Sequence, residues 1–472
     1  MSTARLDTAA RTETVYFAPA IALLGGLPSA KEHGLVYHRF AMFAENQFRT
    51  LERSPEIQRL RLYLDRQRQE LSNLVQANGK PRPNLPRDST GSSRFDKVTR
   101  LQQDDADKIR AHEESVQALL RTAIDMYGKA LASADDFDDA LLRLASLWMS
   151  HHAREDLHAA VKATIGAIPS HKFIRIVIQL SARLEDAATD FQAILHAVFE
   201  RLVAEHPFHC LYQLLTARGF GLSQRKEGDR RRSSVAPGLA SAAKGRDDGP
   251  RTSRSFAAEK ILAKVAKKSA TAAGRIRDVN LFCEAAIEWA WLPPEQPKVA
   301  PGTRKTAALV MDKTLKLAQI RNLAIPIPTA PLAIDLTCRY RAGTIVTVKG
   351  FAREWVRAGG IHVPKITTCV GDDGRSYKQL VRLTLAEFRL SADARPLPSV
   401  QYKSDDDIRQ DAVMEQLFGI VNDLLARDPK TRSRHLHMLT YKVVPLSDLT
   451  GFIEFVTDTL PIDSFLRRSH QK

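Results

Sequence analysis

Apolar residues recur at helical spacing almost throughout from about Tyr16 to Gly221. Beyond Pro293-Pro294 the period changes from 3.6 to 2, so the chain joins a helical part to a sheet-bearing part. In the helical part Phe137, Leu141, Leu144 and Trp148 fall at i, i+4, i+7 and i+11, with Ser133, Asp135 and Asp136 placed to cap the start. Phe173, Val177, Leu180 and Leu184 follow Pro169 in the same way, and Phe191, Ile194, Leu195, Val198 and Leu202 repeat the pattern. Pro169 and His206-Pro207 separate helices of roughly 12 to 20 residues. Consecutive helices with short connections predict an α-solenoid, in which each pair buries its stripe against its neighbours. No strict repeat length is present, so the array is tetratricopeptide-like only in a degenerate sense.

The remaining elements give a coarse domain plan. Residues 1–222 form helical repeats, 223–255 a disordered basic loop, and 256–295 further helices. Residues 296–330 form a linker, 331–466 an α+β lobe and 467–472 a tail. Within the lobe, alternation predicts strands at Leu332–Leu336, Thr344–Val348, Lys365–Val370, Tyr377–Leu385, Leu439–Pro445 and Phe452–Val456. One helix, Ile408–Ala426, interrupts them, with Val413, Leu417, Ile420, Val421 and Leu424 on its expected inner face.

The formal charge of +16 invites a nucleic-acid partner. Its densest part, however, is Arg225–Arg254, where nine Lys/Arg face four Asp/Glu in a Gly-, Ser- and Pro-rich stretch that also reads as a solvated loop. Four scattered cysteines with no Cys-x-x-Cys pair exclude a disulfide framework or zinc ribbon, and a reducing compartment is expected. The apolar stretch Val15–Leu27 is too short to span a membrane and contains Pro19. His206, His209 and Cys210 lie close in sequence but lack a second ligand pair, so no metal site is assigned.

The strongest chemical signal is Lys403-Ser404-Asp405-Asp406-Asp407-Ile408-Arg409-Gln410-Asp411. A lysine ends a β run, acids follow, and Arg-Gln-Asp opens an amphipathic helix. Phosphoryl transfer needs a cation on the phosphates and an acid to hold it; an acid-rich helix N-terminus is the plainer reading of the same residues. In its wider context the string resembles the phosphatidylinositol-3-kinase-related protein kinases, specifically the ATM/Tel branch. TYKVVPLS (Thr440–Ser447) resembles the strand before that family's adenine pocket, and GFIEFV (Gly451–Val456) resembles its hinge. FAREWVRAGGIHVPKI (Phe351–Ile366) is similar to its phosphate-loop strand pair. RFAMFAENQF (Arg39–Phe48), LASLWMS (Leu144–Ser150), IPSHKF (Ile168–Phe173) and HPFHCLYQLL (His206–Leu215) resemble its helical FAT region.

The resemblance implies FAT helical repeats followed by the N-lobe of a kinase that uses ATP with Mg²⁺. By the same resemblance Lys403 holds the phosphates, Asp406 is its acidic partner, and Asp411 orients it with help from Tyr441. Ile453 guards the adenine pocket, the Glu454 carbonyl and Val456 amide bond the base, and Phe455 stacks on it. Lys349, Gly350, Phe351, Ala352, Arg353 and Glu354 form a lid over the phosphates. The implied function is transfer of the ATP γ-phosphate to Ser/Thr before Gln, in DNA-damage signalling and telomere maintenance, by a nuclear homodimer on telomeric chromatin acting with a DNA-break sensor complex.

Two departures from the family accompany these matches. About twenty residues, Val381–Gln401, intervene before the lysine and resemble an unspliced intron; they make Arg382 a rival for the lysine position, but only Lys403 has the acids at the right offset and is preferred. The family's Asp-Arg-His catalytic loop, its His-Ile-Asp metal-binding segment and the C-lobe have no counterpart before Lys472. On that reading the chain is a fragment expected to be inactive. A non-catalytic helical scaffold with a vestigial kinase lobe, or a basic nucleic-acid binder, are the alternatives.

Overall fold

The computed structural model describes residues 9–26, 29–78, 94–219, 252–292, 309–341, 343–357, 364–383, 407–447, 450–460 and 462–469. It divides into two compact units, residues 1–172 and 173–472, so the helical array expected to run unbroken to residue 222 is split between them.

Among the described residues the first unit has no strand; after short helical turns over 9–26 its five longest helices are α1 (Ala30–Glu52), α2 (Pro55–Asn78), α3 (Arg94–Ser133), α4 (Asp138–Ser150) and α5 (Glu155–Ala167). The long α3 packs on each of the other four. Phe48, Leu120, Ile124, Tyr127, Leu131, Leu144, Leu147 and Leu157 form its fully buried core. The residues expected to cap α4 do other work. Phe137 is the N-cap and makes no side-chain cap. Asp135 instead pairs with Lys172 and His171, Asp136 with Lys31, and the Ser133 hydroxyl donates to the Lys129 carbonyl.

Among the described residues Glu45 is the one acid inside this core, 2% exposed. It accepts from the Tyr127 hydroxyl at 2.5 Å, Arg49 at 2.8 Å and Arg143 at 3.1 Å, so α1, α3 and α4 meet on one carboxylate. Burial opposes its charge, but these three donors prevail and hold its carboxyl below the ordinary value. Such a group stabilises the fold above its unfolded pKa, and the contribution disappears as pH falls through the folded one. Glu45→Ala should therefore cost about 3–5 kcal/mol at neutral pH, with the loss shrinking toward acid pH, as read by urea denaturation.

The second unit carries α6 (Val177–Ala182), α7 (Asp190–Glu205), α8 (Pro207–Arg218), α9 (Ser253–Lys268) and α10 (Ala270–Trp291). Its sheet comprises β1 (Leu309–Val310), β2 (Arg321–Pro326), β3 (Thr347–Phe351), β4 (Glu354–Arg357), β5 (Lys365–Gly371), β6 (Ser376–Leu383), β7 (Val443–Pro445) and β8 (Thr450–Glu454). Every pairing is antiparallel, in the order β1-β4-β5-β6-β8-β7. Strand β3 also lies on β5, in line with β4, and β2 flanks β3. Between β6 and β7 lie α11 (Ile408–Arg427) and the short α12 (Pro429–Ser433).

Helix α10 joins the helical layer to the sheet. Phe282 is fully buried, its ring 6.4 Å from Tyr212 of α8, 5.9 Å from Phe351 of β3 and 5.4 Å from Phe452 of β8. At the helix C-terminus the Lys365 ammonium donates to the carbonyls of Trp289, Ala290 and Leu292. It lies 5.0 and 5.9 Å from the Trp289 and Trp355 ring centroids. Burial pushes this ammonium down to about 7; the helix-end carbonyls and the two ring faces favour the cation.

Several expectations need correction. Ser269 caps α10 and breaks the 256–292 stretch into two helices, and α9 begins at Ser253, inside the stretch expected as loop. Most of the rest of that loop, residues 223–251, lies outside the described residues. Residues 309–326, expected as linker, carry β1 and β2; among the described residues β2 pairs only with β3, an edge position that tolerates its terminal proline. The expected strand at 332–336 is a loop, because the Asp335 carboxylate accepts from the Thr337, Arg339 and Tyr340 amides. The other three adjusted strands begin or end later or earlier than alternation suggested, at Thr347, Val443 and Glu454. Helix α11 buries only Ile408 and Ala412, and Val413, Leu417 and Leu424 are exposed. It touches the sheet with its first turn, while Gln416 and Asp423 bond polar groups at Gln179 and Arg175.

Candidate nucleotide-binding site

The candidate site gathers where β6, β8 and the first turn of α11 converge. Asp407 caps α11, accepting from the Arg409 amide at 2.9 Å, so part of the acidic run serves the helix start. Ile408, fully buried, packs against β8 at Gly451. A Cβ at Gly451 would lie 2.5 Å from Ile408 Cδ1 and 2.8 Å from the Val444 carbonyl oxygen. Only glycine permits that approach. The approach fixes the helix start and with it Asp411, one turn further along.

Asp411 meets Arg382. The guanidinium donates to its carboxylate at 2.9 Å. Arg382 lies on β6 directly across from Gly451, and Leu380 lies across from Ile453. The ladder therefore continues through Val381, Arg382 and Leu383, which the sequence placed inside an aberrant insertion. Val381 is buried and its neighbours alternate as a strand does. Tyr441 is near the same pair: burial raises its hydroxyl pKa, the Glu415 and Asp411 charges add to that, and Arg382 opposes it. Arg382 thus has the acid and the tyrosine that the resemblance gave to Lys403. Lys403 and Asp406 lie outside the described residues. Because Asp411 is 41% exposed, the pair contributes at most about 1 kcal/mol and its importance is positional.

The hinge residues follow in line. Ile453 pairs with Leu380 and with Val443. The Glu454 amide donates to the Lys442 carbonyl at 2.8 Å, and its carboxylate accepts from the Lys442 amide at 2.9 Å. The Phe455 amide donates to the Lys378 carbonyl at 3.3 Å, and the Lys378 ammonium lies 5.9 Å from the Phe455 ring. Among the described residues the Val456 amide donates to no backbone carbonyl, and the Val456 carbonyl accepts from the Thr459 hydroxyl at 3.4 Å.

The expected phosphate lid is differently built. Lys349, Gly350 and Phe351 belong to β3 and Glu354 to β4, and both strands pair with β5. Only Ala352 and Arg353 lie between them, as a bulge. Both are tied down: the Ala352 amide donates to the Thr368 carbonyl at 2.9 Å, and the Arg353 carbonyl accepts from the Met311 amide at 2.7 Å. Phe351 points to Phe282, so of the six residues Lys349, Arg353 and Glu354 are exposed. The turn from β4 to β5 at 358–363 lies outside the described residues.

Comparison with known proteins fits this arrangement. Residues 398–472 match the family model described as phosphatidylinositol 3- and 4-kinase. The chain is 30% identical over 443 residues to the serine/threonine-protein kinase TEL1 of Cryptococcus neoformans, covering 93% of this chain and 13% of that protein. It is 30% identical over 376 residues to the serine-protein kinase ATM of Sus scrofa, covering 78% of this chain and 11% of that protein. The solved FAT and kinase domain of CtTel1 superposes with a TM-score of 0.75 at 27% identity, covering 100% of this chain and 28% of that one. The chain thus spans a small part of the curated relatives it matches.

Gly451→Ala should cost about 1–3 kcal/mol through displacement of Ile408. Arg382→Ala should cost under about 1 kcal/mol. Guanidinium denaturation of the two variants checks both, and the reverse ranking would refute this account of the α11 contact.

Proposed function

Because this chain belongs to the Tel1/ATM group of phosphatidylinositol-3-kinase-related kinases, we propose that it contributes FAT helices and the nucleotide lobe of a serine/threonine protein kinase. ATP enters with Mg²⁺ as its counter-ion. The Glu454 carbonyl and Val456 amide hold the base, Ile453 lines the pocket, and Phe455 covers the ring. The phosphates lie toward Asp411 and Tyr441, where Arg382 supplies one cation and, by resemblance, Lys403 with its partner Asp406 supplies another. The proposed reaction is transfer of the γ-phosphate to Ser/Thr before Gln on protein substrates. The proposed setting is DNA-damage signalling and telomere maintenance in the nucleus, at telomeric chromatin, as a homodimer with a DNA-break sensor complex. One of the similar structures is described as a complete CtTel1 dimer with C2 symmetry, which supports the dimer reading.

The observation that carries the nucleotide reading is the Arg382–Asp411 pair beside the hinge strand. A planar guanidinium suits phosphate oxygens at least as well as an ammonium. Mg-ATP should bind the chain in a calorimetric titration, and Arg382→Ala should weaken it at least tenfold, as expected when a charge-assisted contact worth ~1.5–3 kcal/mol is removed. Lys403→Ala, measured alongside, tests whether the lysine shares the phosphates. A folded chain with no ATP affinity would leave the non-catalytic scaffold as the better reading.

A further inference from the structure

The loop between β2 and β3 meets the helical layer at three ligand-type side chains that the nucleotide site does not use. His206, fully buried, lies at the junction of α7 and α8. Its Nδ1 shares a hydrogen bond with the Tyr340 hydroxyl at 2.7 Å, and its Nε2 faces Cys338 Sγ at 3.7 Å. Glu205, the last residue of α7, brings a carboxylate so that the three ligand atoms lie within 4.8 Å of one another. The loop is shaped for this approach. Asp335 accepts from the Thr337 amide and hydroxyl and from the Arg339 and Tyr340 amides. Cys338 and Tyr340 both take left-handed backbone conformations, with φ of 60° and 44°, which such residues seldom adopt.

We propose that Glu205, His206 and Cys338 form a zinc site, completed by a water, that clasps this loop to the junction of α7 and α8. A nitrogen, a sulfur and a carboxylate oxygen are the donor set of tetrahedral zinc, and its bond lengths place sulfur and nitrogen ligands about 3.5 Å apart. The observed sulfur–nitrogen separation of 3.7 Å is already near that value, and the half-buried Glu205 holds a carboxylate oxygen within 4.8 Å of both. Tyr340 acts as the outer partner: its hydroxyl oxygen accepts a hydrogen bond from Nδ1–H, which fixes the tautomer that presents the Nε2 lone pair to the metal. On binding, the Cys338 thiol releases its proton to solvent as the zinc–sulfur bond forms. Cys210, near His206 in sequence, does not take part, because its thiol faces the His206 and Pro207 carbonyls of its own helix. Cys338 is also the only cysteine of the four that is not buried.

The test is a Co²⁺ titration of the full chain, purified without a histidine tag, followed by displacement with Zn²⁺. The wild type should show tetrahedral cobalt d–d bands and a thiolate-to-cobalt charge-transfer band that zinc abolishes. Cys338→Ser should lose the charge-transfer band while its circular dichroism stays unchanged. Tyr340→Phe should keep the bands and bind cobalt about 10–100-fold more weakly. A wild type that gives only octahedral cobalt, a Cys338→Ser chain that keeps the band, or unaltered affinity in Tyr340→Phe would overturn the site as described.

Discussion

The ring of Phe282 has no exposed surface and is shared by both layers of the second unit, with Tyr212 on the helical side and Phe351 and Phe452 on the sheet side. Truncating a fully buried phenylalanine costs about 3–5 kcal/mol. That is comparable to a large part of a domain's net stability. Neither layer therefore has a complete core of its own at this point. Lys365 reinforces the join at the end of α10, where its ammonium satisfies three carbonyls that the helix leaves open and lies against Trp289 and Trp355. The helical array and the kinase-lobe sheet thus meet chiefly through α10, with α8 adding the Thr216 hydroxyl, which donates to the Pro445 carbonyl of β7.

From that join the candidate site follows by short steps. Phe452 lies next to Gly451 on β8, and Gly451 admits Ile408, so the strand that packs on α10 also seats α11. The seat carries Asp411 to Arg382, on the strand paired with β8. Two residues beyond Phe452 the same strand reaches the hinge at Glu454. Geometry at the proposed phosphate and adenine ends is therefore set by one strand whose inner face is held by the FAT helices.

Much of this was legible in the sequence because its signals are local. The stripe from Phe137 to Trp148 is a helix by spacing alone, and Lys365–Val370 is a strand by alternation. The helix over Ile408–Ala426 was placed within one residue at its C-terminal end, but its apolar face was misread as buried. Periodicity reports which residues share a face, and not whether anything covers it. The cap of α4 was misassigned for a related reason: Asp135 is captured by Lys172 and His171, a competition that no local rule contains. The strand at Arg321–Pro326 was hidden by its terminal proline, which an edge strand tolerates. Arg382 was recognised as a rival to Lys403, yet its pairing with Asp411 across 29 residues of sequence needed the sheet register to be seen. The approach of Cys338 to His206 was invisible for the same reason, since 132 residues separate them.

The central claim is that helical layer and nucleotide sheet share a core through α10. Amide hydrogen exchange of Phe282→Ala tests it most directly. The account predicts faster exchange in α8 and α9 and, together with them, in β3, β6 and β8. Exchange that rises in the helices while the sheet keeps its protection would contradict it.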